Sequence, residues 1–232
     1  MNTLHTLIPL ERGYSSPAVL DKTAASSISA ELYFRGNAGL QKQLNTLRQL
    51  MQEKDASLYQ HSRRVQQFAR HLAQKLALAA SEVRAIEQAA LFHDLGKILI
   101  DDALLQKPSP LTTREFEQMK QHPAYGTMLL RQIGAPEEVV LLVYHHHERW
   151  DGRGYPMGLQ GEAIPLGARI IGIADAFDAM TASRPYLVRR TEEQALAELR
   201  RCAGTQFDPT LTNLFCGSMQ SKLLHMQPAY AL

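Results

Sequence analysis

The sequence predicts an all-α fold, and three observations carry that reading. From Leu40 onward apolar residues recur at three- and four-residue spacing, the period of one helix face. No segment shows the sustained apolar–polar alternation that a half-buried strand requires. Helix-start patterns also recur: Thr112 is followed three residues on by Glu115, and Thr191 by Gln194, so that each side chain can satisfy the other's backbone N–H.

The elements follow in order. Residues 1–36 are rich in Ser, Thr and Ala and broken by Pro9, Gly13, Pro17 and Gly36, which reads as an irregular arm. Leu40, Leu44, Leu47 and Met51 form the stripe of a first helix within 37–56. It packs on the domain or on a partner helix, and a homodimer through it is expected. A second helix over about 57–79 puts His61, Val65, Phe68 and Leu72 on one face. A third begins at Ser81, with Glu82 in its first turn, and carries Ala85, Ala89, Phe92 and His93 inward until Gly96 stops it. Segment 112–133 buries Phe116, Met119, Leu129 and Ile133, with a kink or restart where Pro123 follows His122. Helix 136–148 sets Val139, Val143, His146 and His147 on one side. Gly152, Gly154, Pro156, Gly158 and Gly161 then make 149–163 a structured loop. Helix resumes at Pro165, runs through Ile170, Ala174 and Asp175, and ends before Pro185; Asp208-Pro209 opens the last helix as cap and first-turn proline.

Composition narrows the function classes. A chain of 232 residues, 45% apolar, builds one large domain, or one with a short appendage, without disulfides or structural zinc. Its net charge of +2 is too small to argue for a DNA or membrane surface, so an anionic substrate must be held by local charge. Cys202 and Cys216 form no CxxC motif and read as thiols of a reducing cytosol. The stretch Leu4 to Leu10 is interrupted by His5 and Pro9 and lacks a basic flank, so no signal peptide is expected. Apolar runs such as Val139 to Tyr144 are too short to span a bilayer. A soluble, cytoplasmic protein is the expectation.

The histidines carry the functional signal. His61, His93, His146, His147 and Asp175 lie on inward stripes, and His122 sits at a helix irregularity. A single histidine on an apolar face is usually a satisfied core residue. Several imidazoles facing one core beside Asp94 and Asp175 would each cost several kcal/mol to bury unpaired, a cost that a metal cluster removes. The ligand set holds imidazole and carboxylate without thiolate, which suits Fe, Mn, Ni or Zn in a reactive centre. The doublet His93-Asp94 lets the carboxylate bridge two ions while the imidazole fixes one. Two ions about 3.5–4 Å apart can share a hydroxide and clamp the oxygens of an in-line phosphoryl displacement.

"HDLGK" at 93–97, "HHERWDGRGYP" at 146–156, "IPLGARIIGIADAFDAMTASRPY" at 164–186 and "GTQFDP" at 204–209 together resemble the HD-GYP family of the HD superfamily. "HSRRV" at 61–65 and "MKQHPAYG" at 119–126 resemble its flanking blocks. The resemblance covers roughly residues 55–220 and implies an HD-superfamily helical bundle with a metal site in its core and a Gly-rich GYP loop. It implies hydrolysis of cyclic di-GMP to pGpG and in some members to GMP, or of another cyclic dinucleotide. The implied ligands of two divalent ions, Fe or Mn first and Ni or Zn after them, are His61, His93, Asp94, His122, His146, His147 and Asp175, with Asp94 bridging. Lys97 is implied to contact the scissile phosphate or protonate the leaving oxygen, and Arg184 to contact the dinucleotide. The loop Gly154-Tyr155-Pro156 is implied to wall the site, through Tyr155, and to dock regulatory proteins. The catalytic domain then spans 57–225, followed by a tail over 226–232.

Two positions depart from the family pattern. Ser57 stands where some members carry a glutamate that helps hold a third metal, so two ions are expected; Leu187 stands where many carry a lysine. His145 points about 100° from His146 on a helix and is expected outside the ligand set. His71 is expected to face solvent. Three readings remain open: the cyclic-dinucleotide phosphodiesterase, a hydrolase preferring pGpG or a hybrid cyclic dinucleotide, and a weakly active module that senses nucleotide or docks a partner.

Overall fold

The computed structural model describes residues 39–182 and 190–226, so the arm over 1–36, the positions Arg184 and Leu187 and the tail beyond 226 lie outside it. Among the described residues the structure is helical, with two isolated bridges, Asp151 with Gln160 and Ala203 with Phe207, in place of strands. The helices are α1 (Leu40–Lys54), α2 (Ala56–Lys75), α3 (Ala80–Phe92), α4 (Asp102–Leu105), α5 (Thr113–Met119), α6 (His122–Gln132), α7 (Glu137–His145), α8 (Leu166–Thr181), α9 (Glu192–Arg201) and α10 (Pro209–Met226). Short 3-10 turns occupy Leu95–Leu99 and Gly161–Ala163. No described helix is long and apolar enough to cross a membrane.

The centre of the bundle is α2, which packs against α3 on one side and α8 on the other. Its apolar stripe explains why: Val65, Ala69 and Leu72 are fully buried against Phe92 and Ala89 of α3 and Ile170, Ala174 and Phe177 of α8. Asp55 starts α2 by accepting from the N–H groups of Ser57 and Leu58, two donors that the first turn leaves without helical partners. Phe68 meets Phe177 edge-to-face at 5.0 Å and Phe215 at 6.4 Å, which ties α2 to α8 and α10. Such pairs are worth about 0.5–1.5 kcal/mol beyond area burial. The expected capping boxes at Thr112/Glu115 and Thr191/Gln194 are present, and Asp208 caps α10 through the N–H groups of Thr210 and Leu211.

Several expectations are corrected. Leu44, Leu47 and Met51 are buried within the chain's own core, where α1 lies on α2 and the Leu95–Leu99 turn; the stripe expected to support a homodimer is covered. α3 ends at Phe92, and Gly96 sits inside the following turn instead of stopping the helix. The restart expected in segment 112–133 is present: it is two helices, the second beginning at His122 with Pro123 in its first turn, where the missing N–H costs nothing. Phe116, expected in the core, is 45% exposed. α7 stops at His145, leaving His146 and His147 on the turn after it. His71 is half-buried with Nε2 3.0 Å from Ser218 Oγ, not solvent-facing.

Candidate metal centre

Three helix ends deliver histidines to one point. His93 follows α3, His122 follows the turn after α5, and His146 follows α7. Each ring places Nδ1 against the carbonyl of the third residue back: His93 on Ala90 at 2.8 Å, His122 on Met119 at 2.8 Å, His146 on Val143 at 2.7 Å. Those carbonyls belong to final helical turns, whose C=O groups have no helical partner. A carbonyl only accepts, so each Nδ1 carries the proton and each Nε2 presents a lone pair. Helix C-terminal ends also carry partial negative charge, which favours a cation where they converge.

The lone pairs face one another. His122 Nε2 lies 3.3 Å from His146 Nε2, and two acceptors at that distance repel unless a cation or a proton lies between them. Burial works against the proton: it holds His122 down at about 3, His147 at about 4 and His146 well below the ordinary imidazole value. The rings are therefore neutral near pH 7, the form in which imidazole binds metal.

Asp94, almost fully buried, joins two groups of side chains. Its Oδ2 lies 3.4 Å from His93 Nε2 and 3.8 Å from His61 Nε2, while Oδ1 lies 3.4 Å from His122 Nε2. One group that could hold an ion is His61, His93 and Asp94; the other is Asp94, His122, His146 and His147. Asp175 Oδ1 falls beside the first, 3.0 Å from His61 Nε2 and 3.9 Å from His93 Nε2. The structure thus brings together all seven side chains expected to ligate metal. Their fit to a cation rests on buried polar atoms: His93 Nε2 and Asp94 Oδ1 have no hydrogen-bond partner, and leaving such atoms unmet costs about 1–3 kcal/mol each. Burial opposes charge on Asp94, but the Lys97 ammonium and the His93 ring outweigh it and hold the carboxyl well below its usual range.

The remaining expected residues surround this centre. Lys97 Nζ is 2.7 Å from Asp94 Oδ2 and half-buried. Tyr155 lays its ring on His147, 4.8 Å between centroids at 31°. Arg184 is outside the described residues. His145 belongs to neither group, its Nδ1 lying 3.5 Å from Glu148 Oε1.

Two supporting carboxylates were not anticipated. Asp178 Oδ2 sits 2.7 Å from His61 Nδ1, and Arg64 holds the same carboxylate through Nε at 2.6 Å and a second nitrogen at 3.0 Å. This fixes the His61 ring with Nε2 toward Asp94 and Asp175. The signal was present in the sequence, since Asp178 is one turn beyond Asp175 and Arg64 lies within "HSRRV". Replacing Asp178 with asparagine is expected to weaken binding of one ion by about 10–100-fold, the usual cost of losing a carboxylate behind a ligating histidine. Metal titration followed by elemental analysis checks this. Glu148, its side chain fully buried, accepts from the N–H groups of Met157 at 2.7 Å and Leu159 at 3.0 Å and so anchors the Gly-rich loop that carries Tyr155. That loop is further clasped to the 204–209 segment by Trp150 N–H to Gln206 O and Asp151 N–H to Thr205 O.

A cavity of about 520 Å³ opens beside His146, His147 and Asp175 and is walled by Trp150, Arg169 and Arg190. Arg169 lies over the Trp150 ring at 5.7 Å and is paired with Asp208 at 2.7 Å, so its charge is already partly committed. The cavity has room for a nucleotide-sized group next to the centre.

Comparison with known proteins agrees with this geometry. Residues 45–211 match the HD domain family model. The chain is 41% identical over 198 residues to the cyclic di-GMP phosphodiesterase response regulator RpfG of Xanthomonas campestris, covering 81% of this chain and 51% of that protein. It is 40% identical over 159 residues to the 3'3'-cGAMP-specific phosphodiesterase 2 of Vibrio cholerae, covering 66% of this chain and 30% of that one. The chain thus spans about half or less of these curated relatives. Bd1817, an HDG"Y"P protein from Bdellovibrio bacteriovorus, shares the fold with a TM-score of 0.61 at 15% identity, over 90% of this chain and 75% of that one. With its helical core, its clustered histidines and aspartates and its Gly-Tyr-Pro loop, the chain belongs to the HD domain family, in its HD-GYP branch.

Proposed function

We propose that the chain is a metal-dependent phosphodiesterase that hydrolyses a cyclic dinucleotide, cyclic di-GMP in the first instance, to linear pGpG. The observation that carries this reading is Asp94, whose two oxygens face two separate groups of imidazoles. His61, His93, Asp94 and Asp175 would hold one divalent ion, and Asp94, His122, His146 and His147 the other, Fe or Mn first and Ni or Zn after them. Such a pair, when bound, supplies Lewis acidity and a hydroxide at neutral pH. The protein's own groups do the rest. Lys97, beside Asp94 and half-exposed to the site, is placed to neutralise a phosphate oxygen or to give its proton to the leaving 3'-oxygen. Tyr155 walls the site against His147. The neighbouring cavity would accept one arm of the substrate; the contact of Arg184 with the dinucleotide rests on the family resemblance alone. Met157, 60% exposed on the Gly-rich loop, marks where a regulatory protein would dock.

The test couples elemental analysis of the purified protein to turnover of cyclic di-GMP and of 3'3'-cGAMP with added Mn²⁺ or Fe²⁺. About two ions per chain and linear product from cyclic di-GMP are the expected result. Preference for 3'3'-cGAMP would move the assignment to the hybrid dinucleotide. Bound metal without either activity would point to a linear nucleotide such as pGpG, and neither metal nor turnover after reconstitution would leave a binding module.

A further inference from the structure

A second feature of the site bears on how the organic part of a substrate is held. Phe116 is 45% exposed although it belongs to an amphipathic pattern, and it is one of only three large apolar side chains so exposed among the described residues. It is not isolated. Its ring stands 6.4 Å from that of Tyr155 at 82°, and Tyr155 in turn lies 4.8 Å from the ring of His147 at 31°. Lys120 Nζ is 5.0 Å from the Phe116 centroid and 5.8 Å from the Tyr155 centroid, and it pairs with Glu117 at 2.7 Å. A run of rings therefore leads from the metal-binding cluster to the surface, with an ammonium over its outer two rings. Exposing a phenyl ring forgoes the stabilisation of burial, and α5 has only seven residues with none of them buried, so core packing does not account for the position.

We propose that Phe116, through the ring face opposite Lys120, is a stacking platform for a nucleobase of the substrate whose phosphodiester lies at the Asp94 centre. This rests on the phosphodiesterase reading above and adds to it the residue that receives a base. The chemistry fits the place. A nucleotide offers a flat base one ribose away from its phosphate, and His147 and Tyr155 bridge a comparable interval between the cluster and Phe116. Stacking on a single ring contributes about tenfold or more in affinity and tolerates any base, because every base has a π face. Phe116 thus raises affinity for nucleotides as a class, and selection between guanine and adenine falls to other groups. The Lys120 ammonium, near the faces of both rings, is held there by the rings themselves.

The experiment measures binding of GMP and of inorganic phosphate to the Mn²⁺-loaded protein by titration calorimetry, for the wild type and for Phe116→Ala, Phe116→Leu and Phe116→Trp. Expected is a GMP affinity about tenfold weaker in the alanine and leucine variants and kept in the tryptophan variant, with phosphate binding unchanged in all of them. Leucine preserves apolar bulk, so a merely structural role would leave that variant like the wild type. Equal GMP affinity in all four proteins overturns the platform, as does a parallel loss of phosphate binding. Turnover of cyclic di-GMP by the wild type is followed alongside. A ring-dependent GMP site without cyclic-dinucleotide turnover would refute the phosphodiesterase reading and keep the platform, while turnover with GMP binding indifferent to Phe116 would do the reverse.

Discussion

Replacing Asp94 with alanine is expected to lower bound metal from about two ions per chain to one or none, and to cut phosphodiester hydrolysis by about a thousandfold or more. The size follows from the geometry. Among the described residues no other side chain belongs to both groups that could hold an ion, so its loss would remove a ligand from each. An ion's Lewis acidity is worth several kcal/mol of transition-state stabilisation, and about 1.4 kcal/mol is tenfold in rate. Asp94→Asn is the sharper variant. It keeps the shape and one oxygen but removes the charge that Lys97 and the neighbouring rings are set to meet. Its helical circular dichroism should match the wild type while metal content and turnover fall as in the alanine variant. Retention of two ions by Asp94→Asn would mean that the imidazoles and Asp175 hold the metals without the Asp94 charge and would sink the bridging role.

Much of the centre was legible in the sequence because burial and helical period act together. An imidazole on an inward stripe has to be satisfied, which drew attention to His61, His93, His146 and His147 beside Asp94 and Asp175; His122 at its helix irregularity, and the full set of seven as ligands, were implied by the resemblance of the motifs to the HD-GYP family. What remained hidden depended on neighbours distant in sequence. Periodicity assigns Phe116 to a face of its helix but does not say whether anything covers that face, and in the structure its neighbours are Tyr155 and Lys120 at the rim of the site instead of the core. Leu44, Leu47 and Met51 present the opposite case: the same kind of stripe, open to a partner as far as the sequence shows, is covered by the chain itself. Asp178 read as one acidic residue among many, since its value lies in the meeting of α2 with α8, which places it between His61 and Arg64. The rule that ligating histidines are themselves held by carboxylates or carbonyls would have directed attention to it.

Gly96→Ala is expected to destabilise the domain by about 3 kcal/mol, the upper end of what overpacking costs. Read from sequence, this glycine was a helix stop, yet the helix ends before it, at Phe92. The structure supplies a different reason. A Cβ at position 96 would lie 1.9 Å from the His122 carbonyl oxygen and 2.6 Å from the Gly126 backbone nitrogen, and these are main-chain atoms of α6 that no rotamer change can withdraw. The Leu95–Leu99 turn and α6 must separate, and that contact is what holds Asp94 against His122. For a domain of this size about 3 kcal/mol corresponds to roughly a 6–12 °C fall in Tm, to be measured in chelator so that metal does not contribute. The second consequence is functional: in whatever folded protein remains, the Asp94 Oδ1 to His122 Nε2 spacing of 3.4 Å widens, so an ion that His122, His146 and His147 would hold is expected to be lost before one that His61 would hold. A Gly96→Ala protein with wild-type Tm and two tightly bound ions would show that the turn can shift without disturbing the centre, and the close approach would then have no part in building it.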